Sequence, residues 1–316
     1  MLWAWLAMAA GLGLLYVGAE GLVRGSASLA GRLGLTPLVI GLTVVAFGTS
    51  MPELAVSVEA ALNDRSAIAL GNVVGSNIGN IGLILALAAM VTPLAVQAKV
   101  LRVDTPLVIA VSVLLLILVN DGHLGRIEGT ALVAGVLAYV AFSLWSARRE
   151  SAVVHAEFAE GVPAPSGSVG RDILFVVVGL TVLVVGARML VQGAITVAEA
   201  AGLSDAIIGL TIVAIGTSLP ELAASVVAAA KGEGDIAVGN VLGSNLFNIL
   251  GILGITSLIQ PLESGGVGPT DLWVMVGFAV LLAPLMRTGW RIGRWEGVML
   301  LLLYVSYLAI VISGKG

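Results

Sequence analysis

The sequence has no cysteine and few charged residues. Without cysteine, the 316-residue chain can form neither a disulfide nor a thiolate metal site. Charged residues make up only 11% of the chain, whereas a soluble globular protein has about 25%. Hydrophobic residues make up 59%, more than a soluble core of this size can hide from water. We therefore expect an integral membrane protein whose partner is the lipid bilayer.

Other absences exclude further classes of protein. The net charge of −4 is too mild to indicate a nucleic-acid partner. The sequence has no nucleophile–base constellation and no phosphate-binding loop, so we expect neither an enzyme nor a bound cofactor. The apolar N-terminal segment lacks the basic residues that begin a signal peptide. It therefore predicts a first membrane helix and not a cleaved leader.

Ten segments are apolar enough to cross a bilayer, which requires about 20 residues each. They cover residues 2–22, 36–62, 67–91, 102–119, 127–146, 171–191, 204–230, 235–259, 270–286 and 295–313. Between the fifth and the sixth lies the only sizeable polar stretch, which predicts a linker too short for a regulatory domain. The predicted domains are a first five-helix unit at 1–145, the linker at 146–170 and a second five-helix unit at 171–316.

The basic residues predict how the chain is oriented in the membrane. The loops after the first, third, fifth, seventh and ninth predicted spans carry 11 of the 15 lysine and arginine residues. Basic residues concentrate on the cytoplasmic side. We therefore expect a multi-pass protein of the plasma (inner) membrane, with both termini extracytoplasmic and the central linker cytoplasmic.

The chain contains an internal repeat with an offset of 168 residues. The segment Gly41–Glu53 returns as Gly209–Glu221, and 29 of the 46 positions from Ile40 to Leu85 are identical to their partners. Five predicted spans per unit is an odd number, so the second unit must enter the membrane in the opposite orientation. The predicted fold is all-α, with ten transmembrane helices in two inverted five-helix repeats and interrupted core helices.

Each copy of the repeated segment places a proline and a carboxylate in an apolar stretch. Pro52 lacks a backbone donor and clashes with the carbonyl of Gly48, so we expect a broken helix in which the carbonyls of residues 46–48 are partly freed. Glu53 follows directly, and Glu221 is its partner in the second copy. A carboxylate buried in a membrane is expensive and is functional by default.

The side chains around the two glutamates carry hydroxyl and amide oxygens. Asn72, Ser76 and Asn80 are spaced by four and share one helix face. The full set is Glu53, Thr49, Ser50, Asn72, Ser76, Asn77 and Asn80, with Glu221, Thr217, Ser218, Asn240, Ser244, Asn245 and Asn248 in the second copy. Such hard oxygen ligands favour Ca²⁺ and Na⁺ over zinc or copper. For asparagines 72, 77, 240 and 245, hydrogen bonding between helices is an open alternative.

Several other residues have structural explanations. Small residues in the core spans are expected to permit close helix packing, namely Gly71, Gly75, Gly239 and Gly243. Glycines in the first and sixth spans are expected to let those helices slide as a pair, namely Gly13, Gly18, Gly21, Gly179 and Gly186. Acidic residues near predicted span ends are expected to be solvated, namely Glu20, Glu59, Asp104 and Glu199.

At these motifs the chain resembles the sodium/calcium exchanger family of the calcium:cation antiporter superfamily, in particular its short bacterial members. The match lies in Gly-x-Thr-x-x-Ala-x-Gly-Thr-Ser-x-Pro-Glu followed by Gly-Asn-x-x-Gly-Ser-Asn, both of which occur twice. The resemblance implies an antiporter that exchanges Na⁺ for Ca²⁺ by alternating access. We expect the functional unit to be a monomer.

The resemblance also implies roles for individual residues. Glu53 and Glu221 would be the shared central carboxylates, with Asn80 and Asn248 beside them. Further oxygens would come from the hydroxyls and backbone of Thr49 and Thr217 and from the backbone carbonyls of Ala46 and Ala214. Ser76 and Ser244 would complete flanking Na⁺ sites.

Position 248 departs from part of the family, because some archaeal and potassium-dependent members carry Asp where this chain has Asn248. With asparagine at both central positions, the site holds two carboxylates and a charge of −2. One Ca²⁺ would neutralise it and three Na⁺ would leave +1, so we expect electrogenic 3:1 exchange without K⁺ dependence. A Ca²⁺/H⁺ antiporter that uses the same carboxylates and a passive cation channel are the alternatives.

Overall fold

The computed structural model describes residues 1–149, 168–201, 214–263 and 267–313, and nearly all of them are helical. The first half contains α1 (Leu2–Leu33), α2 (Pro37–Thr49), α3 (Met51–Leu62), α4 (Ser66–Val91), α5 (Val100–Leu118) and α6 (Arg126–Arg149). The second half contains α7 (Val169–Ala200), α8 (Ala214–Thr217), α9 (Leu219–Ala230), α10 (Gly234–Ile259), α11 (Pro269–Arg287) and α12 (Arg294–Ser313).

Among the described residues, eight helices are long and apolar enough to cross a bilayer, and the bent pair α2–α3 gives a ninth. Of the predicted seventh span, 204–230, only α8 and α9 are visible, because residues 202–213 lie outside the described residues. Most of the predicted linker lies outside them as well. The first and sixth spans are longer than predicted, since α1 and α7 have 32 residues each.

The two halves correspond to each other element by element. Helices α3 and α4 begin and end 168 residues before α9 and α10. In the described parts of the chain, four two-residue strands lie between helices: β1 (Leu94–Ala95), β2 (His123–Leu124), β3 (Leu262–Glu263) and β4 (Arg291–Ile292). Strand β1 pairs antiparallel with β4, and β2 pairs antiparallel with β3. Exchanging the two halves converts one strand pair into the other, so the pairing is symmetric.

Helices α1 and α7, which are equivalent in the repeat, pack closely and run antiparallel. A Cβ atom built on Gly18 would lie 2.7 Å from the backbone nitrogen of Leu183, and one on Gly179 would lie 2.6 Å from that of Leu22. Where α1 ends, the Arg32 guanidinium meets the carboxylate of Asp172 at 2.5 Å, and Asp172 is buried. Because glycine has no side chain, the two backbones can touch at these positions. The ion pair between Arg32 and Asp172 holds the two helices in register.

The glycines of this contact are only partly those expected. Gly18, Gly179 and Gly186 lie at the closest approach, whereas within the described chain nothing lies within 4 Å of a Cβ on Gly13 and only ordinary contacts surround Gly21. The contact also uses glycines that the prediction missed, namely Gly11, Gly25 and Gly193. The six contact glycines recur every seven residues, a spacing that returns each to the same helix face.

Pro52 and Pro220, the prolines of the repeated motif, each stand at the start of a helix and do not bend one from within. Helix α2 ends at Thr49, Ser50 leaves the helical conformation with φ −84° and ψ 7°, and α3 starts at a bend of 43°. Pro52 thus stands in a first turn, where a backbone donor is not needed. The carbonyl of Ala46 is not freed as expected, because it accepts from the Ser50 N–H at 3.1 Å and from the Thr49 hydroxyl at 3.3 Å.

Within the described residues, four wider, π-helical turns lie inside or at the start of helices, and the sequence did not predict them. They span Gly41–Val45, Asn80–Leu85, Val100–Asp104 and Phe247–Leu253. Such turns insert an extra residue into a helix and occur often at functional sites. Asn80 stands in the second of these turns and Asn248 in the fourth.

Burial of the remaining glycines and acids departs from prediction in three places. Gly239 and Gly243 pack as expected, since a Cβ on Gly239 would lie 2.7 Å from the Leu38 carbonyl and one on Gly243 would lie still closer to the Leu42 carbonyl. Among the described residues, however, their counterpart Gly71 has only an ordinary contact with Val267, and nothing lies within 4 Å of a Cβ on Gly75. Asp104, expected to be solvated, is only 1% exposed. Asp104 stands in the π-helical turn that begins α5, and its neighbours in the fold cover it although it lies near a span end.

We predict that Gly179→Ala lowers the stability of the protein by about 1–3 kcal/mol, because the new methyl group collides with the α1 backbone. Gly13→Ala is the matched control, since it adds the same methyl group to the other helix of the pair where it meets nothing within the described residues. Thermal unfolding in detergent measures both. Equal melting temperatures for the two variants would contradict the packing.

Candidate cation-binding site

The two predicted glutamates meet at the helix breaks. Glu53 and Glu221 stand in the first turns of α3 and α9 and are 1% and 2% exposed. The Ser218 hydroxyl donates to Oε1 of Glu53 at 3.1 Å, and the Ser50 hydroxyl donates to Oε1 of Glu221 at 2.9 Å. Each carboxylate is therefore held by the opposite half of the chain. The positive end of its own helix dipole also favours each carboxylate.

Asn72 and Asn240 hold the backbone of the glutamates. The Asn72 amide donates to the backbone carbonyl of Glu53 at 3.2 Å and to the Ser57 hydroxyl at 3.0 Å. Asn240 makes the equivalent bonds in the second half, at 3.3 Å to the carbonyl of its glutamate and at 2.9 Å to Ser225. These contacts are the interhelical hydrogen bonds that the sequence left as the alternative for both residues.

The predicted hydroxyl ligands lie beside these groups. The Thr49 hydroxyl donates to the Val45 carbonyl at 3.0 Å and lies 3.2 Å from Oδ1 of Asn240. The hydroxyls of Ser50 and Ser244 lie 3.2 Å apart, and Ser76 is buried in α4. Thr217 and Ala214 belong to the short α8, which follows a segment outside the described residues. The ligand roles of all these residues stay predictions.

The central asparagines make crossed contacts between the halves. The Asn80 amide donates to Oδ1 of Asn245 at 2.9 Å, and the Asn248 amide donates to Oδ1 of Asn77 at 3.1 Å. The Asn77 amide in turn faces the backbone carbonyl of Asn245 at 3.4 Å and the sulfur of Met275 at 3.8 Å. Met275 was missed by the prediction because α11 carries no repeated motif.

Four buried oxygens of this cluster lack a hydrogen-bond partner among the described residues: Oε2 of Glu53, Oε2 of Glu221, Oδ1 of Asn80 and Oδ1 of Asn248. The elements that carry them pack together, α3 against Phe247–Leu253 and α9 against Asn80–Leu85. An unpaired buried polar atom costs about 1–3 kcal/mol, and a charged one costs more. All four atoms are acceptors, the kind of group that a cation can satisfy.

The donor set fits Ca²⁺ or Na⁺ as a bound substrate. Its charge comes from two carboxylates, and the described chain has no group of three or more His, Cys, Asp or Glu side chains placed to hold a metal ion. Amide, hydroxyl and carboxylate oxygens are the ligands that these hard cations prefer.

Comparison with known proteins gives consistent matches over the chain. Residues 3–145 and 172–313 match the profile of a family described as sodium/calcium exchanger protein. The sodium/calcium exchanger MaX1 of Methanosarcina acetivorans is 35% identical, over 95% of this chain and 96% of its own length. The inner membrane protein YrbG of Escherichia coli is 38% identical, over 98% and 97%. The solved structure of the sodium-calcium exchanger NCX_Mj, soaked without Na⁺ and Ca²⁺, has a TM-score of 0.85 at 32% identity, over 98% of this chain and 99% of that chain.

We predict that Ca²⁺ raises the melting temperature of the purified protein and that Glu53→Gln removes this effect. A ligand at a hundred times its Kd stabilises the folded state by about 2.7 kcal/mol, and the variant loses one of the two charges of the site. Glu59→Gln, an exposed position in the same helix, is the control and should keep the Ca²⁺ response. An unchanged response in Glu53→Gln would contradict the assignment.

Proposed function

The chain belongs to the sodium/calcium exchanger family, and from this premise we propose that it is a secondary active antiporter that exchanges Na⁺ for Ca²⁺ across its membrane. The family is one of transporters, so the chain is an integral multi-pass transporter and not an enzyme. The observation that carries the proposal is the set of four unpaired buried oxygens at the crossed helix breaks. Na⁺ and Ca²⁺ are its substrates, and no cofactor is needed.

The proposed architecture is ten transmembrane helices in two inverted repeats, at 1–145 and 171–316, with the linker 146–170 on the cytoplasmic side. The antiparallel course of the equivalent helices α1 and α7 supports it, as does the exchange of strand partners between the halves. An axis in the membrane plane relates the halves of such a fold and places the site at the midplane. We further propose a plasma-membrane location, extracytoplasmic termini and a monomeric functional unit.

The proposed site shares Glu53 and Glu221 between the two competing ions. Asn80 and Asn248 complete its centre. The two carboxylates give the site a charge of −2, so one bound Ca²⁺ makes it neutral and three bound Na⁺ leave a net charge of +1. This arithmetic supports electrogenic 3:1 exchange, and the neutral Asn248 argues against K⁺ coupling. Further ligands are proposed at Thr49, Thr217, Ser76, Ser244 and the carbonyls of Ala46 and Ala214. An empty site costs several kcal/mol per unpaired ion in an apolar passage, which opposes uncoupled movement.

Access to the site is asymmetric, which supports alternating access. Helix α1 lies along α9, whereas the equivalent pair, α7 and α3, has at most marginal contact within the described chain. As a result Ala55 and Glu59 of α3 are exposed, while Val227, the counterpart of Glu59, is only 8% exposed. We infer that the pair α1–α7 moves as one body and closes the α9 side in this state.

An ion pair joins α1 to the end of α9 on this closed side. Lys231, at the end of α9, donates to Glu20 of α1 at 2.7 Å. The repeat counterparts of Glu20 and Lys231 are Arg188 and Asn63, and Asp64 follows Asn63. Sliding of α1–α7 to the symmetry-related position would separate Glu20 from Lys231. It would also bring Arg188 close to Asp64. The basic-residue count places Lys231 on the cytoplasmic side, so this state is proposed to be closed to the cytoplasm.

The function is tested by isotope-labelled Ca²⁺ uptake into proteoliposomes under imposed Na⁺, H⁺ and K⁺ gradients. We expect internal Na⁺ to drive uptake, a clamped potential to change its rate, and K⁺ to have no effect. Glu53→Gln and Glu221→Gln should each abolish uptake, because each removes one shared charge. Uptake driven by a pH gradient and indifferent to Na⁺ would favour the Ca²⁺/H⁺ antiporter, and single-channel currents would favour a channel.

The ion pair is tested by cysteine accessibility, for which the cysteine-free chain is suited. In Lys231→Glu we expect a cysteine at Ala223 to be labelled faster and one at Ala55 more slowly than in the parent, because the α9 side opens. Adding Glu20→Lys restores the attraction with reversed charges and should restore both rates. Unchanged labelling in the single variant would show that the pair does not bias access.

A further inference from the structure

The central asparagines pose a problem of orientation. An asparagine side chain ends in an oxygen that accepts and an amide group that donates, and only the oxygen can bind a cation. Asn80 and Asn248 are each 1% exposed, so water does not settle which end faces the cation site. An amide group turned toward the glutamates would hydrogen-bond to them and compete with the cation.

The orientation of Asn248 follows from an acceptor that cannot be reversed. The backbone carbonyl of Asn245 can only accept, so the amide group of Asn77 must face it. The sulfur of Met275, a weak acceptor, lies on the same side. The oxygen of Asn77 therefore faces Asn248 and takes its amide proton at 3.1 Å. This leaves Oδ1 of Asn248 among the unpaired oxygens of the site.

The second half repeats the contact between asparagines with the roles exchanged. Oδ1 of Asn245 accepts from the Asn80 amide at 2.9 Å, and Oδ1 of Asn80 is left unpaired. Asn77 and Asn80 are neighbours on α4, yet each is bonded to α10 and not to the other. Each half thus supplies one central asparagine and the side chain that orients the central asparagine of the other half.

We propose that Asn77 and Asn245 are positioning residues that hold the amides of Asn248 and Asn80 with their oxygens toward the cation. They do not bind the ion themselves, and the inference rests on the proposed function. The orienting contact crosses the interface between the halves, so the site presents only acceptors when both halves are assembled.

The test is a double-mutant cycle between Asn77→Ala and Asn248→Asp. An aspartate has two equivalent oxygens and no amide group, so its orientation no longer matters. Removing a residue that orients a metal ligand costs about 10–100-fold in metal affinity. We expect Asn77→Ala to raise the Ca²⁺ KM by this order with a smaller change in maximal rate. In the Asn248→Asp background, the same substitution should not raise the KM, because the oxygen of Asn77 then faces only another acceptor.

Asn80→Asp is the matched control, because it adds the same carboxylate at the position that Asn77 does not orient. Asn77→Ala should still raise the Ca²⁺ KM in that background, and Asn245→Ala should show the reverse pattern. An equal effect of Asn77→Ala in all three backgrounds would overturn the proposal and leave a purely structural role. If Asn77→Ala does not fold, Asn77→Ser serves, since its hydroxyl can donate or accept and imposes no orientation.

The cycle can be measured without transport, as the shift in melting temperature on titration with Ca²⁺. If the wild-type protein binds Ca²⁺ but internal Na⁺ does not drive uptake, the proposed exchange fails while the orienting role is still tested. If exchange is present and the coupling between positions 77 and 248 is absent, only the orienting role fails.

Discussion

Two carboxylates buried at the centre of an apolar helical protein must be compensated by their surroundings, and much of the core serves this need. An ion taken out of water loses several kcal/mol of hydration. Helix breaks place Glu53 and Glu221 in first turns, where the helix dipole favours negative charge. A serine from the opposite half satisfies one oxygen of each carboxylate. The other oxygen of each has no partner among the described residues, and we propose that a cation supplies it.

The compensation comes from both halves at once. The serine–glutamate and asparagine–asparagine bonds of the centre join residues that are 165 or 171 positions apart. Neither half therefore contains a complete site. Around this symmetric centre, α1 and α7 pack asymmetrically, close against α9 and away from α3. A symmetric site reached from one side is what an exchanger needs, because the same contacts can then serve from the other side.

Several features of the fold and site were predictable because their causes are local. Apolar length predicted the long helices, and the proline predicted the breaks before Glu53 and Glu221. The expected release of the Ala46 carbonyl was wrong because the helix ends instead of bending, so the Ser50 N–H still reaches it. Asp104 was expected in water because it lies near a span end, but the folded protein buries it, and distance along the chain does not reveal that burial. The contact glycines were half identified, since the sequence shows their spacing but not the partner helix.

The sequence by itself determined the internal repeat, the positions of the helix breaks and the chemical nature of the site. These follow from hydrophobicity, proline geometry and residue type, which act within a few residues along the chain. Only the tertiary structure decided which oxygen of each carboxylate is paired, which end of each central asparagine is left unpaired, and against which half α1 packs. These depend on contacts between residues far apart in the chain. A repeated sequence leaves such contacts open, because it offers each half the same partners.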